Sequence, residues 1–444
     1  MKIFNSYTNQ LEAFVPIHEG KVNMYVCGPT VYNYIHIGNA RPVIFFDTVR
    51  RYFEYLGYEV KYVSNFTDVD DKIINKAIET NQTEKEVTDF YIDAFLTDVA
   101  KLNSKTDYIK PRVTEYMDHI ISYIDHMINK GVAYKVDGDV YFRVDQVENY
   151  GHLSNQKIED LISGSRIDVN NKKENPLDFT LWKETEVGIT FDAPFGEGRP
   201  GWHTECVAMI DDIFEEKIDI HGGGSGLMFP HHENEIAQSL ALNEHRLANY
   251  WMHNGLLNIG GGKMSKSEGN FILVKDLNID PNVFRLFTLS THYRSPINFT
   301  DDALHNYQAE WDKIERAYKQ LFVKIDLMDA LDQTFNITDQ FKQFKTDFKD
   351  AMDQDFNTSN GITVLQDVVK ATNQLIRQSK ELDALLSAKK MLDDIFTVFG
   401  LVSDVHPMGT EDKALYKAWQ AARKEKDFDE ADRLRDVLVD KGIL

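Results

Sequence analysis

The chain has 444 residues, about three domains at roughly 150 residues each, and its 42% hydrophobic and 27% charged content is that of a globular protein rather than a disordered one. Acidic residues outnumber basic ones 71 to 49, a formal charge of −22, which argues against indiscriminate coating of nucleic acid or of an anionic membrane but leaves room for a local basic patch. No apolar run reaches the roughly 18 residues of a membrane span, the opening MKIFNSYTNQ lacks a signal-peptide layout, and two cysteines, Cys27 and Cys206, do not make a disulfide framework.

The first elements alternate. Asn23 to Cys27 reads as a short strand closed by the turn signal Gly28-Pro29. Arg41 to Tyr55 reads as a helix, with Pro42 at its first position, Asn39 as cap and Val43, Phe46 and Phe53 at helical spacing. Tyr58 to Phe66 returns to β-rich residues, and Thr67-Asp68 can cap a helix beginning near Asp70. Strand, helix, strand predicts a right-handed crossover and a doubly wound parallel sheet. Residues from about Lys110 to Pro200 break the alternation, with a hairpin-like Val136 to Val144, and read as an insertion. The sheet pattern resumes at Ile218 to His221, opening into Gly222-Gly223-Gly224, and again at Tyr250 to Leu257. From about Asp301 the chain is helical. Leu304, Tyr307, Trp311, Ile314, Tyr318 and Leu321 form an amphipathic stripe, with further helices at Phe341 to Met352, Gly361 to Leu382 and Ala388 to Val398. After a loop at Val402 to Gly409, the segment from Glu411 to Leu444 is helical and densely charged.

Three groups of residues carry chemistry. In YNYIHIGNARP (Tyr32 to Pro42) a helix N-terminus follows a strand, so its free N–H groups and positive dipole end suit a phosphate, with Gly38 allowing close approach and His36 and Asn39 able to hydrogen-bond phosphate oxygens. A capped helix beside a surface histidine accounts for that segment equally well. GGGKMSKSEGN (Gly260 to Asn270) interleaves Lys263 and Lys266 with hydroxyls and suits a polyphosphate, but Met264 after Lys263 rules out a Walker A loop. His231 and Glu235 are four apart in HHENEIAQS and share a face if that segment is helical, with His232 about 100° away. With Cys27 and Cys206 they make a plausible zinc set. Two small buried hydrophobes and a solvated helix face are the plainer alternatives.

HIGN at 36 to 39 together with KMSKS at 263 to 267 resembles the paired signature of class I aminoacyl-tRNA synthetases. The text around them, MYVCGPTVYNYIHIGNARP, NFTDVDDKI, GRPGWHTEC, HGGGSGLMFPHHENEIAQS and YWMHNG, is similar to the cysteinyl-tRNA synthetase family over nearly the whole chain.

The resemblance implies an α/β fold: a Rossmann-type catalytic domain with an insertion, then an α-helical bundle and a small C-terminal helical domain. The expected boundaries are 1–110 and 201–300 for the catalytic halves, 111–200 for the insertion, 301–400 for the bundle and 410–444 for an anticodon-binding domain shorter than the family's. It implies ATP-dependent ligation of L-cysteine to tRNA(Cys) through a cysteinyl-adenylate, by a cytoplasmic monomer that binds no membrane. Expected cofactors are one Zn2+ on Cys27, Cys206, His231 and Glu235, and Mg2+ with ATP. His36, Asn39, Lys263 and Lys266 carry the catalytic role; His36, Gly38, Asn39, Gly222, Gly223, Gly224 and Lys266 the ATP contacts; Cys27, Thr67 and Trp202 the amino-acid contacts. A soft thiolate prefers zinc far more than an alkoxide does, so zinc would reject serine without an editing domain.

The chain departs from the family pattern at Asn39, where many class I enzymes have His, and at Gly226, where the family often has Asp. Residues 411–444 hold eight basic and nine acidic residues, and Arg423, Lys424 and Lys426 are the candidate anticodon contacts. Two other readings share some of these features: an amino-sugar ligase of thiol biosynthesis, which resembles only the catalytic half, and a non-catalytic tRNA-binding paralogue.

Overall fold

The structure, a computed structural model, describes residues 1–156, 172–260, 262–263, 271–378 and 381–443. Contacts divide the chain into two units: Met1–Asn278 with Tyr293–Asn298, and Ile279–His292 with Phe299–Leu444.

The first unit is built on a four-stranded parallel sheet. Its strands are β3 (Lys21–Val26), β4 (Glu59–Val63), β9 (Ile218–Gly224) and β10 (Ala248–Asn254), in the spatial order β10-β9-β3-β4. The chain leaves β3 through helix α1 (Ile37–Tyr55) toward β4 on one side, and leaves β9 through a helix at Glu233–Asn243 toward β10 on the other. Ligands in open α/β sheets bind where the order reverses, here beyond the carboxyl ends of β3 and β9. The hairpin β1 (Lys2–Asn5) and β2 (Gln10–Ala13) lies before the sheet in sequence, and Ser6 donates to the Trp251 carbonyl of β10 at 2.9 Å.

Helix α1 starts at Ile37, four residues earlier than the sequence pattern predicts. His36 is its N-cap: Nδ1 accepts from the Asn39 N–H at 3.3 Å, and Asn39 Oδ1 accepts from the His36 N–H at 3.2 Å. This reciprocal capping box outweighs the proline signal, so Pro42 sits inside the helix and gives the Gly38 carbonyl no i+4 partner. Helix α2 (Asp71–Thr80) is capped by Asp70, whose side chain accepts from Lys72 N at 2.8 Å. Thr67 and Asp68, expected as caps, bond elsewhere: Thr67 Oγ1 donates to Glu205 at 3.0 Å, and Asp68 accepts from Thr114 N and Oγ1.

Helices α3 (Glu84–Lys101) and α4 (Met117–Asn129) lead to an antiparallel sheet, β5 (Ala133–Val136), β6 (Asp139–Phe142), β7 (Phe179–Glu184) and β8 (Gly198–Pro200), paired in sequence order. The β5–β6 turn is Asp137-Gly138, both at positive φ, as a two-residue hairpin of primed type requires. Helix α5 (Trp202–Phe214) follows. Met117, Ile120 and Ile124 of α4 and Trp182 of β7 share one buried core with Val207 and Ile210 of α5 and with Tyr25 and Ile218 of the parallel sheet. The chain then passes through an irregular turn, Met228–His232, into helix α6 (Glu233–Asn243). Beyond β10 come the short strands β11 (Leu257–Ile259) and β12 (Gly262–Lys263).

The second unit is helical. Helix α7 (Pro281–Leu289) has proline in its first turn and Asp280 as cap, and α8 (Asp301–Asp326) is capped by Thr300. The predicted stripe is buried from Trp311 through Ile314 and Tyr318 to Leu321, while Leu304 and Tyr307 are half-buried. Helices α9 (Asp339–Met352), α10 (Thr358–Gln378) and α11 (Leu382–Phe399) complete the bundle. Gly400, at φ +67°, ends α11, and a Cβ there would lie 2.4 Å from the buried Arg285 guanidinium. The charged tail is a helical pair, α12 (Thr410–Glu425) and α13 (Phe428–Asp440), closed over Ala422, Ala431 and Leu434. Among the described residues no helix is long and apolar enough to cross a membrane.

Candidate active site and metal centre

A cavity of about 440 Å³ opens at the reversal of the sheet. Cys27 to Thr30 after β3, His36, Gly38 and Asn39 at the start of α1, Trp202 at the start of α5, Gly224 and Gly226 after β9, and Asn254 to Leu257 after β10 all line it. Its volume falls in the range of small-molecule sites. The expected phosphate-binding helix start is therefore on the wall, and the capping box orients the His36 and Asn39 side chains at that rim.

The glycines of β9 divide. Gly224 lines the cavity, and nothing lies within 4 Å of where its Cβ would stand. Gly222 and Gly223 do not line it: a Cβ at Gly222 would lie 2.4 Å from the Phe46 ring, and one at Gly223 2.9 Å from Leu227. They lack side chains for packing. Lys263 closes strand β12, and Lys266 lies outside the described residues.

At the base of the cavity the chain gathers two thiols, an imidazole and a carboxylate. Cys27 follows β3, and Cys206 lies one turn into α5 on the same face as Trp202. His231 is the penultimate residue of the irregular turn and Glu235 sits in the first turn of α6. One ligand atom from each falls within 4.8 Å of all the others. The two Sγ atoms are 3.8 Å apart, unbridged. This is about the edge of a tetrahedron around a metal with bonds of roughly 2.3 Å, the zinc–thiolate length. His231 Nε2 is 2.8 Å from Glu235 Oε1, and all four residues but Cys27 are fully buried. Donor chemistry, spacing and burial fit a zinc ion.

The surroundings exceed what helical spacing predicted. His232, expected about 100° away from the His231–Glu235 face, is also buried, with Nε2 3.2 Å from Cys27 Sγ. Cys27, His221, His232 and Glu235 also fall within 4.8 Å of one another. His221 Nε2 contacts Glu235 Oε2 at 2.6 Å, His232 Nδ1 contacts His253 Nε2 at 2.8 Å, and His203 Nδ1 contacts His231 Nδ1 at 3.1 Å. Imidazoles and carboxylates bonded behind a ligand set orient it. The segments HTEC and YWMHNG carry His203 and His253, but neither a spacing nor a cap singles out His203, His232 or His253 in the sequence. The sheet register sets Tyr25 beside His221 and His253 beside Gly223, and the helix starts at Trp202 and Glu233 bring His203 and His232 to the same place.

Electrostatics divide the donors. Burial, with the neighbouring Cys206 and Glu235, pushes the Cys27 thiol well above its ordinary value. The hydrogen bond from Cys27 outweighs burial at Cys206 and lowers it to about 6. Against burial, the Glu235 carboxylate holds His231 up at about 10. Burial depresses His203 and His253 to about 3.

Trp202 is 41% exposed, lines the cavity and stacks on His231 with centroids 4.3 Å apart. It is a wall and not a core residue. Thr67 is buried beneath, between Asn65 and Glu205. Asn65 also accepts from the Gly28 N–H at 2.9 Å, and a Cβ on Gly28 would stand 1.7 Å from the Asn65 carbonyl oxygen, so only glycine lets the chain after Cys27 approach this closely. The buried Asn254 Oδ1 has no partner among the described residues and belongs to a cavity-lining residue.

The family model for the tRNA synthetases class I (C) catalytic domain matches residues 13–309, and that for the DALR domain matches 347–403. The cysteine--tRNA ligases of Bacillus cereus (strain AH187) and Bacillus thuringiensis (strain Al Hakam) are each 48% identical over 448 residues, covering 100% of this chain and 96% of theirs. Two solved structures share the fold. Mycobacterium tuberculosis methionyl-tRNA synthetase in complex with methionyl-adenylate has a TM-score of 0.61 at 14% identity, covering 85% of this chain and 89% of that one. A LeuRS ternary complex from Agrobacterium radiobacter K84 has a TM-score of 0.62 at 11% identity, covering 87% and 85%. The site at the sheet reversal, the catalytic-domain match over 13–309 and the full-length relatives together make this chain a member of the cysteine--tRNA ligase family of class I tRNA synthetases.

Proposed function

We propose that the chain joins L-cysteine to tRNA(Cys) in two steps, with zinc selecting the substrate by its thiolate. The observation that carries the selection is the convergence of Cys27, Cys206, His231 and Glu235 at the base of a cavity walled by Trp202. Zinc held by those four residues supplies a soft Lewis acid that distinguishes sulfur from the serine hydroxyl.

In the first step the cysteine carboxylate attacks the α-phosphate of ATP, the bond to the β-phosphate breaks, and pyrophosphate leaves to form cysteinyl-adenylate. The protein's part is positioning and charge stabilisation. The N-terminus of α1, with His36 and Asn39, meets the phosphates, and Gly38 and Gly224 leave room for the nucleotide. Lys263 and Lys266 stabilise the departing pyrophosphate, and Mg2+ accompanies ATP. In the second step the terminal ribose hydroxyl of tRNA displaces AMP. The helical unit with its DALR match and the α12–α13 pair contacts the tRNA body and anticodon. Similarity that runs through this helical half, 100% of the chain, counts against the amino-sugar ligase reading.

Cysteine-dependent ATP–pyrophosphate exchange, with serine as competitor, tests the proposal. The parent enzyme is expected to exchange with cysteine at least about 10⁴-fold better than with serine. Cys206→Ala is expected to lose both metal and exchange. Equal exchange with serine, or a metal-free Cys206→Ala variant that discriminates as the parent does, overturns it.

A further inference from the structure

We propose that Arg41 is a positioning residue for adenylate formation: it fixes the spacing between the start of α1 and the root of the β11–β12 hairpin. The inference rests on the function read above.

Arg41 is 1% exposed and is held by main-chain oxygens alone. Its Nη1 donates to the carbonyls of Gly255 at 2.7 Å and Leu256 at 2.8 Å, and its Nη2 to those of Tyr293 at 3.2 Å and Ser295 at 2.6 Å. No carboxylate among the described residues pairs with it. Burial lowers the guanidinium to about 10, so it stays charged at neutral pH. A buried cation without a counter-ion is an expensive way to fill space. What it supplies is geometry: a planar fork of donors holds two chain segments at once, which neither an apolar side chain nor the single ammonium of lysine reproduces.

The segments held are those the site depends on. Asn254 to Leu257 faces His36, Gly38 and Asn39 across the cavity and runs directly into β11 and β12, which ends at Lys263. Gly255 is pinned again by its N–H to the Tyr293 carbonyl at 2.8 Å, and Ile297 N donates to the Leu256 carbonyl at 2.9 Å. One turn along α1 from Arg41, Phe45 stacks on the Tyr293 ring with centroids 4.2 Å apart and planes at 11°. Where the chain returns, Ile37 N donates to the Ile272 carbonyl and Val274 N to the Ile35 carbonyl, both at 2.9 Å. Both ends of the excursion from 257 to 271 are thus tied to α1, the returning end by backbone and the outgoing end by Arg41. Arg41 lies about 7.5 Å along the axis from His36, at 1.5 Å per residue. Misplacement of reacting groups by about 1 Å can cost roughly 10²-fold in rate.

The test uses the full-length, metal-loaded enzyme with Arg41→Lys and Arg41→Met. ATP–pyrophosphate exchange is measured with ATP and cysteine varied separately, beside metal content and circular dichroism. Both variants are expected to stay folded and metal-loaded, with kcat reduced about 30-fold or more and KM for ATP raised, while KM for cysteine stays within about twofold. Lysine, retaining charge and one donor group, is expected to recover part of the kcat lost by methionine. A folded Arg41→Lys with kcat within about threefold of the parent overturns the proposal. So does a fall in cysteine affinity and metal content in step with kcat, or failure of both variants to fold, because Arg41 would then act on the fold at large. Exchange by the parent that ignores the Arg41 variants counts against Arg41 alone, whereas absence of exchange in the parent removes the functional reading and this proposal together.

Discussion

Cys27 and Cys206 are 179 positions apart in sequence and 3.8 Å apart at sulfur, and the reason lies in what each follows. One terminates a parallel strand and the other faces it from the next layer, so a soft donor pair forms wherever β3 and α5 meet. Behind it, His221 is fully buried, with Nε2 on Glu235 and Nδ1 without a partner among the described residues. His221→Asn is expected to weaken metal binding about 10- to 100-fold in a chelator competition while leaving the number of reactive thiols in the metal-free protein unchanged. The residue pattern made the four candidate ligands legible as a group, because two cysteines and an i, i+4 His-Glu pair are few enough to combine. It did not show His232 against Cys27, because spacing along one helix does not tell which strand end packs on its other face. Asp68 offers a pH test at the same scale. Burial raises its carboxyl, with the two hydrogen bonds from Thr114 pulling the other way. The folded chain then holds this proton more tightly than the unfolded chain, so the contribution to stability is full below the usual carboxylate range and is lost as pH climbs through the raised value. The melting midpoint of the parent relative to Asp68→Asn is expected to fall across that window, and a flat difference would show that Asp68 does not titrate there.

Helix α1 shows how local chemistry reaches the site. Its first turn is both capping box and cavity wall, so helix stability and the proposed phosphate contacts draw on the same two side chains. Asn39→Ala removes the carboxamide that accepts from the His36 N–H and is expected to cost about 1 kcal/mol of stability and to raise KM for ATP more than KM for cysteine, read from melting curves and exchange kinetics. Proline at a first helical position is a strong start signal, and it placed the predicted start at Arg41; the true start depends on His36 acting as cap, a role that the residue type alone does not advertise. The strands and the long helices were legible from periodicity, and the bundle stripe from Trp311 to Leu321 is buried as its spacing predicts. Gly222 and Gly223 were legible as special positions; the packing that also requires glycine there, against the Phe46 ring and the Leu227 side chain, was not. Gly226 is the reverse case. It lines the cavity with nothing among the described residues within 4 Å of its Cβ position, so Gly226→Asp is expected to fold with an unchanged melting midpoint, and a loss of several degrees would show that the space is not there.

Across the whole molecule, the order β10-β9-β3-β4 does the organising. It puts the ends of β3 and β9 side by side, and with them the first signature, the thiols and the histidines. Alternating strands and helices in the sequence predicted a doubly wound sheet, but the pairing of β3 with β9 across the 191 residues from 27 to 217 comes from tertiary packing: Tyr25, Ile218 and Met117 and Ile120 of α4 fill one core. The charge of −22 is a property of the average surface, and tRNA must be met by local groups. The measurement that tests the account most directly is transfer of labelled cysteine to a tRNA(Cys) transcript by the metal-loaded enzyme, with serine run in parallel. Cysteine-charged tRNA at a rate comparable with ATP–pyrophosphate exchange, and no detectable serine product, is the predicted result. Adenylate formation without transfer to tRNA, or charging with serine at a similar rate, would contradict it.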